Sequence, residues 1–191
     1  MENPNTIIYF VRHAQSAYVE GSERTRGLTE QGKRDAERVK DLLTGEQPDL
    51  FVSSPYRRAV DTILPLAQAC GCEIRLEEDL RERALSGAEM GKDRFFDAKR
   101  TLFEQQDFAY PGGESSNEAR RRASPVVADL LKRHTGKRIV IGTHGDIMTL
   151  MLQTYDPSCD FEFWQSTTMP DIYKLEFDMQ GELIAKRRLW G

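Results

Sequence analysis

Cysteine and histidine are both scarce in this chain, with three of each among 191 residues. Three cysteines cannot all pair, and Cys70 and Cys72 stand too close for the usual zinc-site spacing, so neither a disulfide framework nor a zinc module is expected. The three thiols, with Cys159, read as ordinary buried or half-buried side chains, pointing to a reducing, cytoplasmic setting. No apolar run approaches the roughly 20 residues that cross a bilayer. Met1–Asn5 lacks a basic segment followed by an apolar one, so neither a membrane partner nor a secretory signal is expected. An excess of one charge is missing too: 27 basic against 31 acidic residues leave a formal net charge of -4, which argues against a nucleic-acid partner. No repeat, linker or low-complexity tract divides the sequence, so residues 1–191 read as a single domain.

What is present alternates between strand and helix patterns. Thr6 to Val11 is a short branched and aromatic run of the buried-strand type, ending at Arg12-His13. Thr29 is placed to cap a helix carrying Ala36, Val39, Leu42 and Leu43. Leu50 to Ser53 reads as a second strand. A helix follows, with Ser54 as its cap, Pro55 at its first position and Gly71 as its stop; Pro65 inside it predicts a kink or break. Glu73 to Leu76 is a third strand candidate. Residues 83–113 form a partly helical excursion with scattered aromatics, closed by Pro111-Gly112-Gly113. A helix over about Ser116 to His134, disturbed at Pro125, precedes Arg138 to Thr143, a second clear buried strand that ends at His144-Gly145. An apolar helix follows over Ile147 to Leu152. Asp171 to Phe177 and Leu183 to Leu189 fit an antiparallel pair turning at Gln180-Gly181. The expectation is an α/β fold, a three-layer α/β/α sandwich with a mostly parallel central sheet.

Two of the three histidines close the two clearest strands. Catalytic groups of open α/β sheets gather at the carboxyl ends of the strands, so His13 and His144 either share a cleft or are two exposed strand-end rings. His134 ends a helix beside Lys132 and Arg133, where a cationic side chain suits the dipole, and reads as a capping or surface residue. Arg12 adjoins His13. Arg57 lies in the first turn after a strand, where its charge opposes the helix dipole and an anionic ligand would relieve the conflict; a surface ion pair is the other reading. Glu82 is not separable from Glu77 or Glu78 on pattern alone.

These strings together resemble the histidine phosphatase superfamily, which includes the cofactor-dependent phosphoglycerate mutases. Val11-Arg12-His13-Ala14 is similar to its RHG signature. Leu28-Thr29-Glu30-Gln31-Gly32, Ser53-Ser54-Pro55-Tyr56-Arg57-Arg58-Ala59 with Thr62, Leu80-Arg81-Glu82, Pro111-Gly112-Gly113-Glu114-Ser115 and Thr143-His144-Gly145 follow in family order. The resemblance implies a phosphoglycerate mutase-like fold and a metal-independent phosphomonoester hydrolase. His13 would form a phosphohistidine and Glu82 would donate a proton to the leaving group. Arg12, His13, Arg57, His144 and Gly145 would bind the phosphate, with Arg12, Arg57 and His144 counted in the catalytic set. It implies no metal and no cofactor.

Two departures stand out: Ala14 replaces the usual glycine, and Val19 stands where many members carry an asparagine, so Ser16 or Gln15 is a candidate to compensate. The excursion is short for a dedicated mutase, which favours hydrolysis. A cofactor-dependent mutase and a non-catalytic phospho-ligand binder or interaction protein are the alternatives. The expected partner is a small phosphomonoester, and the chain is expected to act as a monomer or homodimer, with residues 83–113 covering the active site. The five excursion aromatics read either as core or as contacts for a bulky leaving group.

Overall fold

Alternation along the central strands decides the layers. In β1 (Thr6–Arg12), Ile8 and Phe10 enter one hydrophobic cluster while Tyr9 and Val11 enter another on the opposite side. In β4 (Arg138–Thr143), Ile139 and Ile141 face the first side and Val140 the second. The computed structural model describes residues 4–191; Met1–Asn3, on which part of the N-terminal reading rests, lie outside the described residues.

Helices α1 (Glu30–Leu43) and α2 (Arg57–Ala69) cover one face, contributing Val39, Leu43, Ile63 and Leu66. Three helices, α4 (Ser116–Arg133), α5 (Gly145–Gln153) and α6 (Phe161–Ser166), cover the other, joined by Phe103 from α3 (Lys92–Glu104). With β2 (Leu50–Ser53), β3 (Ile74–Leu76), β5 (Asp171–Phe177) and β6 (Leu183–Arg188), the sheet runs β3-β2-β4-β1-β5-β6. The first four strands are mutually parallel, and β5 and β6 are antiparallel additions. This is the α/β architecture that the alternating patterns predict. No helix among the described residues is long and apolar enough to cross a membrane.

Local chemistry accounts for most boundaries. Thr29 caps α1 by accepting from the Gly32 N–H at 3.0 Å, and Ser115 and Glu118 form a reciprocal capping box on α4. Gly71 follows α2 with φ +66°, and Gly181 turns the β5–β6 hairpin with φ +80°. The α2 start differs from expectation: Ser54 and Pro55 lie outside the helix and Tyr56 takes the cap position. The Ser54 hydroxyl instead accepts from the Tyr56 N–H and bonds His144. Neither Pro65 nor Pro125 ends its helix. Ile63, Leu66 and Ala67 are buried on either side of Pro65, and Ala123 and Val127 flank Pro125, so packing outweighs the missing hydrogen bond. Helix α5 begins at Gly145, two residues before the apolar pattern, and α6 has no counterpart among the expected elements.

Leu64 and Leu66 straddle Pro65, at 37% and 0% exposure. Leu66→Ala is expected to cost about 3 kcal/mol and Leu64→Ala less than about 0.5 kcal/mol. Urea unfolding of both variants checks this, and equal losses would contradict the packing of α2.

Candidate active site

Parallel pairing of β1 with β4, in the register Arg12↔Thr143, brings the two strand-end histidines side by side. The His13 N–H donates to Thr143 O at 2.9 Å, continuing the ladder one residue past β1. The two rings meet edge to face, 5.3 Å between centroids. The His13 Nδ1 lies 2.8 Å from its neighbour's carbonyl, Ala14 O. A carbonyl only accepts, so Nδ1 carries the proton and Nε2 is left with its lone pair. Burial, then the positive charge of Arg58, hold His13 well below the usual histidine range, and Arg12 adds to the effect. The ring is therefore neutral at neutral pH. His144 is fully buried, its Nε2 is 2.8 Å from Ser54 Oγ, and burial followed by His13 and the arginines keeps it neutral as well.

Arg12 crosses beneath the start of α5. A Cβ on Gly145 would lie 2.8 Å from Arg12 Cζ, so a side chain there would push the guanidinium away from that helix terminus. Arg12 Nη1 donates to Thr167 Oγ1 at 2.6 Å, just beyond α6, while its Nε is buried without a partner among the described residues.

Arg57 does not enter this cleft. Its side chain is 66% exposed and pairs with Asp61, one helical turn along, at 3.2 Å. That i,i+4 pair answers its conflict with the helix dipole. Arg58 takes the inward place instead. Its side chain is 2% exposed, its Nη2 pairs with Glu23 at 3.0 Å, and its Nε is buried without a partner among the described residues. Helical periodicity held the missed signal: Arg58 shares a face with buried Thr62 and Leu66, whereas Arg57 shares one with Asp61. Arg26, also overlooked, reaches Ser16 Oγ at 3.1 Å and pairs with Glu23.

Glu82 sits across the start of α5. Its carboxylate accepts from the Asp146 and Ile147 N–H groups at 3.1 and 2.9 Å and from the Arg83 N–H at 2.9 Å. Burial raises the proton affinity of this carboxyl and the Asp146 charge raises it further, against Lys99 and the backbone donors. Glu77 and Glu78 are placed elsewhere: Glu77 caps a short 3-10 turn and Glu78 pairs with Arg24 on the surface. His134 is the C-cap of α4, its N–H bonded to Leu130 O.

The departures at Ala14 and Val19 have separate consequences. The Ala14 methyl packs into a small cluster with Leu28 and Ala36, and its N–H donates to Thr62 Oγ1 at 2.9 Å. Val19 is 61% exposed in the loop after β1. Of its suggested substitutes, Gln15 is bonded to Thr29 at 2.7 Å and Ser16 accepts from Arg26. The excursion aromatics divide: Phe103 is core, Phe95 packs against it, and Phe96 remains 53% exposed.

A family model described as histidine phosphatase superfamily (branch 1) matches residues 8–187. The chain belongs to that superfamily. It is 30% identical over 162 residues to the metal-independent phosphoserine phosphatase of Arabidopsis thaliana, covering 78% of this chain and 68% of that one. Identity is also 30% over 198 residues to phosphoglycerate mutase-like protein 4 of the same plant, covering 96% and 84%. Glucosyl-3-phosphoglycerate phosphatase of Mycobacterium tuberculosis (strain H37Rv) matches at 33% over 135 residues, 65% of this chain and 60% of that protein. Among solved structures, one titled mycobacterial hydrolase 1 superposes with a TM-score of 0.77 at 25% identity, covering 97% of both chains.

Two outcomes follow from the geometry. Arg58→Ala should lower kcat/KM on an aryl phosphate by about a hundredfold or more, the scale of losing one stabilising donor, while Arg57→Ala should change it less than about threefold; equal effects would reverse the two placements. Because both buried rings stay neutral in the folded chain but take up protons when unfolded, stability should be full above the ordinary histidine value of about 6.5 and fall as pH drops through and below it. Urea midpoints followed between pH 8 and pH 5 test this, and a flat profile would contradict it.

Proposed function

We propose that this phosphatase hydrolyses small phosphomonoesters through a phosphohistidine on His13. The observation that carries the reading is the fixed tautomer of His13. A neutral ring with its Nδ1 proton committed to Ala14 O offers Nε2 as nucleophile without needing a base to activate it.

In the first step Nε2 attacks phosphorus as the ester P–O bond breaks, and Glu82 gives its proton to the departing alkoxide. In the second, water attacks the phosphohistidine, Glu82 takes back a proton, the P–N bond breaks, and phosphate leaves with His13 restored. Arg12, Arg58 and His144 surround the three non-bridging oxygens of the phosphoryl group in this reading, and Gly145 lets Arg12 approach. The buried Nε groups of Arg12 and Arg58 are donors for which anionic oxygens are the natural complement. Fixed cationic donors of this kind stabilise equatorial charge as it develops. A raised proton affinity suits Glu82 to the first step, because a carboxylate ionised at neutral pH has no proton to give.

Residues 1–191 act in this reading as one domain, with 83–113 as the cover of the site, in a cytoplasmic setting that suits three free thiols. Two relatives are named for phosphoserine and for glucosyl-3-phosphoglycerate, both small phosphate esters, and these head the substrate class considered. The mutase-like relative matched over nearly the whole chain keeps isomerisation of a phosphoglycerate as a second reading.

Turnover of para-nitrophenyl phosphate should persist in EDTA and vanish in His13→Ala. Glu82→Gln should lose about a hundredfold or more on an alkyl phosphate and far less on the activated aryl ester, whose leaving group needs no proton. Loss of activity on chelation, or full activity in His13→Ala, would overturn the mechanism. Isomer formation outrunning phosphate release, with 3-phosphoglycerate and its bisphosphate primer, would favour the mutase.

A further inference from the structure

Three charged side chains beside the site are buried, and the mechanism above uses none of them. Asp146 is 1% exposed, and its Oδ2 takes Arg83 Nε at 2.9 Å and Lys99 Nζ at 2.5 Å. Arg83 is anchored in turn to Ser116 Oγ at 2.8 Å. Lys99 comes from α3, inside the excursion, with its ammonium 5.2 Å from the Phe95 ring centre and 5.5 Å from that of Trp164. Burying three charges is costly unless they satisfy one another, and removing one partner leaves the others uncompensated.

The cluster and Glu82 share one residue. The Asp146 main chain donates to Glu82 while its side chain is clasped by Lys99 and Arg83. We propose that Lys99 is a positioning residue for Glu82: reaching from the excursion, it neutralises Asp146 and thereby governs the pH range in which Glu82 can donate a proton. This rests on the assignment of Glu82 as proton donor. It makes the seating of α3 against α6 a setting of the upper pH limit for leaving-group protonation, so that the excursion does more than cover the cleft.

The charges around Glu82 support the direction. Arg12 from β1 and Arg58 from α2 act on it, Asp146 from α5 opposes its ionisation, and Lys99 from α3 favours it, with Arg83 next in the chain. Two carboxylates therefore face two close cations in a poorly solvated place. Removing Lys99 leaves Asp146 with Arg83 as its only ion-pair partner and takes from Glu82 a cation that Arg12 and Arg58 do not replace, which favours a proton on Glu82. Removing the Asp146 charge does the reverse.

The test is the alkaline limb of kcat/KM against pH with β-glycerophosphate, an ester whose leaving group needs a proton. Lys99→Met is expected to move the limb upward by about one pH unit, Asp146→Asn downward by a similar amount, and the double variant to return it close to the parent position. Lys99→Arg, which keeps the charge, should leave the limb in place. Where a variant turns over too slowly, carbon-13 titration of the Glu82 carboxyl in the folded protein reads the same order. A merely structural cluster would lower stability and rate without moving the limb in opposite directions, and limbs that stay fixed or move together overturn the proposal. His13→Ala and Glu82→Gln, assayed alongside, separate this failure from failure of the phosphatase mechanism itself.

Discussion

The parallel ladder between β1 and β4 carries the site. Its register, Arg12 opposite Thr143, sets the chain exits of both strands at one edge, and the His13 N–H bond to Thr143 O extends the pairing into the proposed nucleophile. A shift by one residue would turn Ile8 and Phe10 out of one cluster and Tyr9 and Val11 out of the other, so the two cores lock the position of the histidines. The geometry of the candidate site is in this sense a by-product of hydrophobic burial on both faces of a sheet. The same constraint places the α5 N-terminus beside Arg12, and Gly145 is the local concession that the approach requires.

Around this frame the electrostatics is divided by element. Cations come from β1, α2 and the loop before α1, as Arg12, Arg58 and Arg26; they and the surrounding burial keep two imidazoles neutral. On the other side, Glu82 spans the first turn of α5, where backbone donors favour its charge and burial opposes it. The excursion enters the balance through Lys99. Sites of this kind put groups that must be neutral and groups that must be charged within a few ångströms, and the difference in environment assigns the roles. Asp146 illustrates the cost: burial disfavours its charge, and Lys99 and Arg83 together more than offset that.

Much of the fold was legible because its signals are local or periodic. Branched runs marked β1, β2 and β4, Thr29 and Gly71 marked helix ends, and the hairpin turn sits at Gly181. The failures have physical reasons. Pro65 and Pro125 disfavour helix locally, but the burial of their neighbours prevails, and burial is not visible in a short window. Helix α6 is short and carries aromatics whose partners lie far along the chain, Phe95 and Phe103 among them. In the site, the choice of Arg57 over Arg58 followed the helix terminus and neglected the face; one residue is a rotation of about 100° around a helix, enough to send one guanidinium to solvent and the other inward.

The sequence by itself determined the family, the α/β architecture and the placing of His13 and His144 at strand ends, because those rest on motif order and on burial patterns written into consecutive residues; that the two rings meet was decided by the β1–β4 register. It also named Arg12 and Glu82, the latter only through the resemblance. Tertiary structure alone decided which nitrogen of His13 is free, which arginine faces the cleft, and that Lys99, Arg83 and Asp146 converge beneath Glu82. Each of those depends on contacts between residues far apart in the chain, where hydrogen-bond geometry and desolvation, neither of them a property of any single segment, set the outcome.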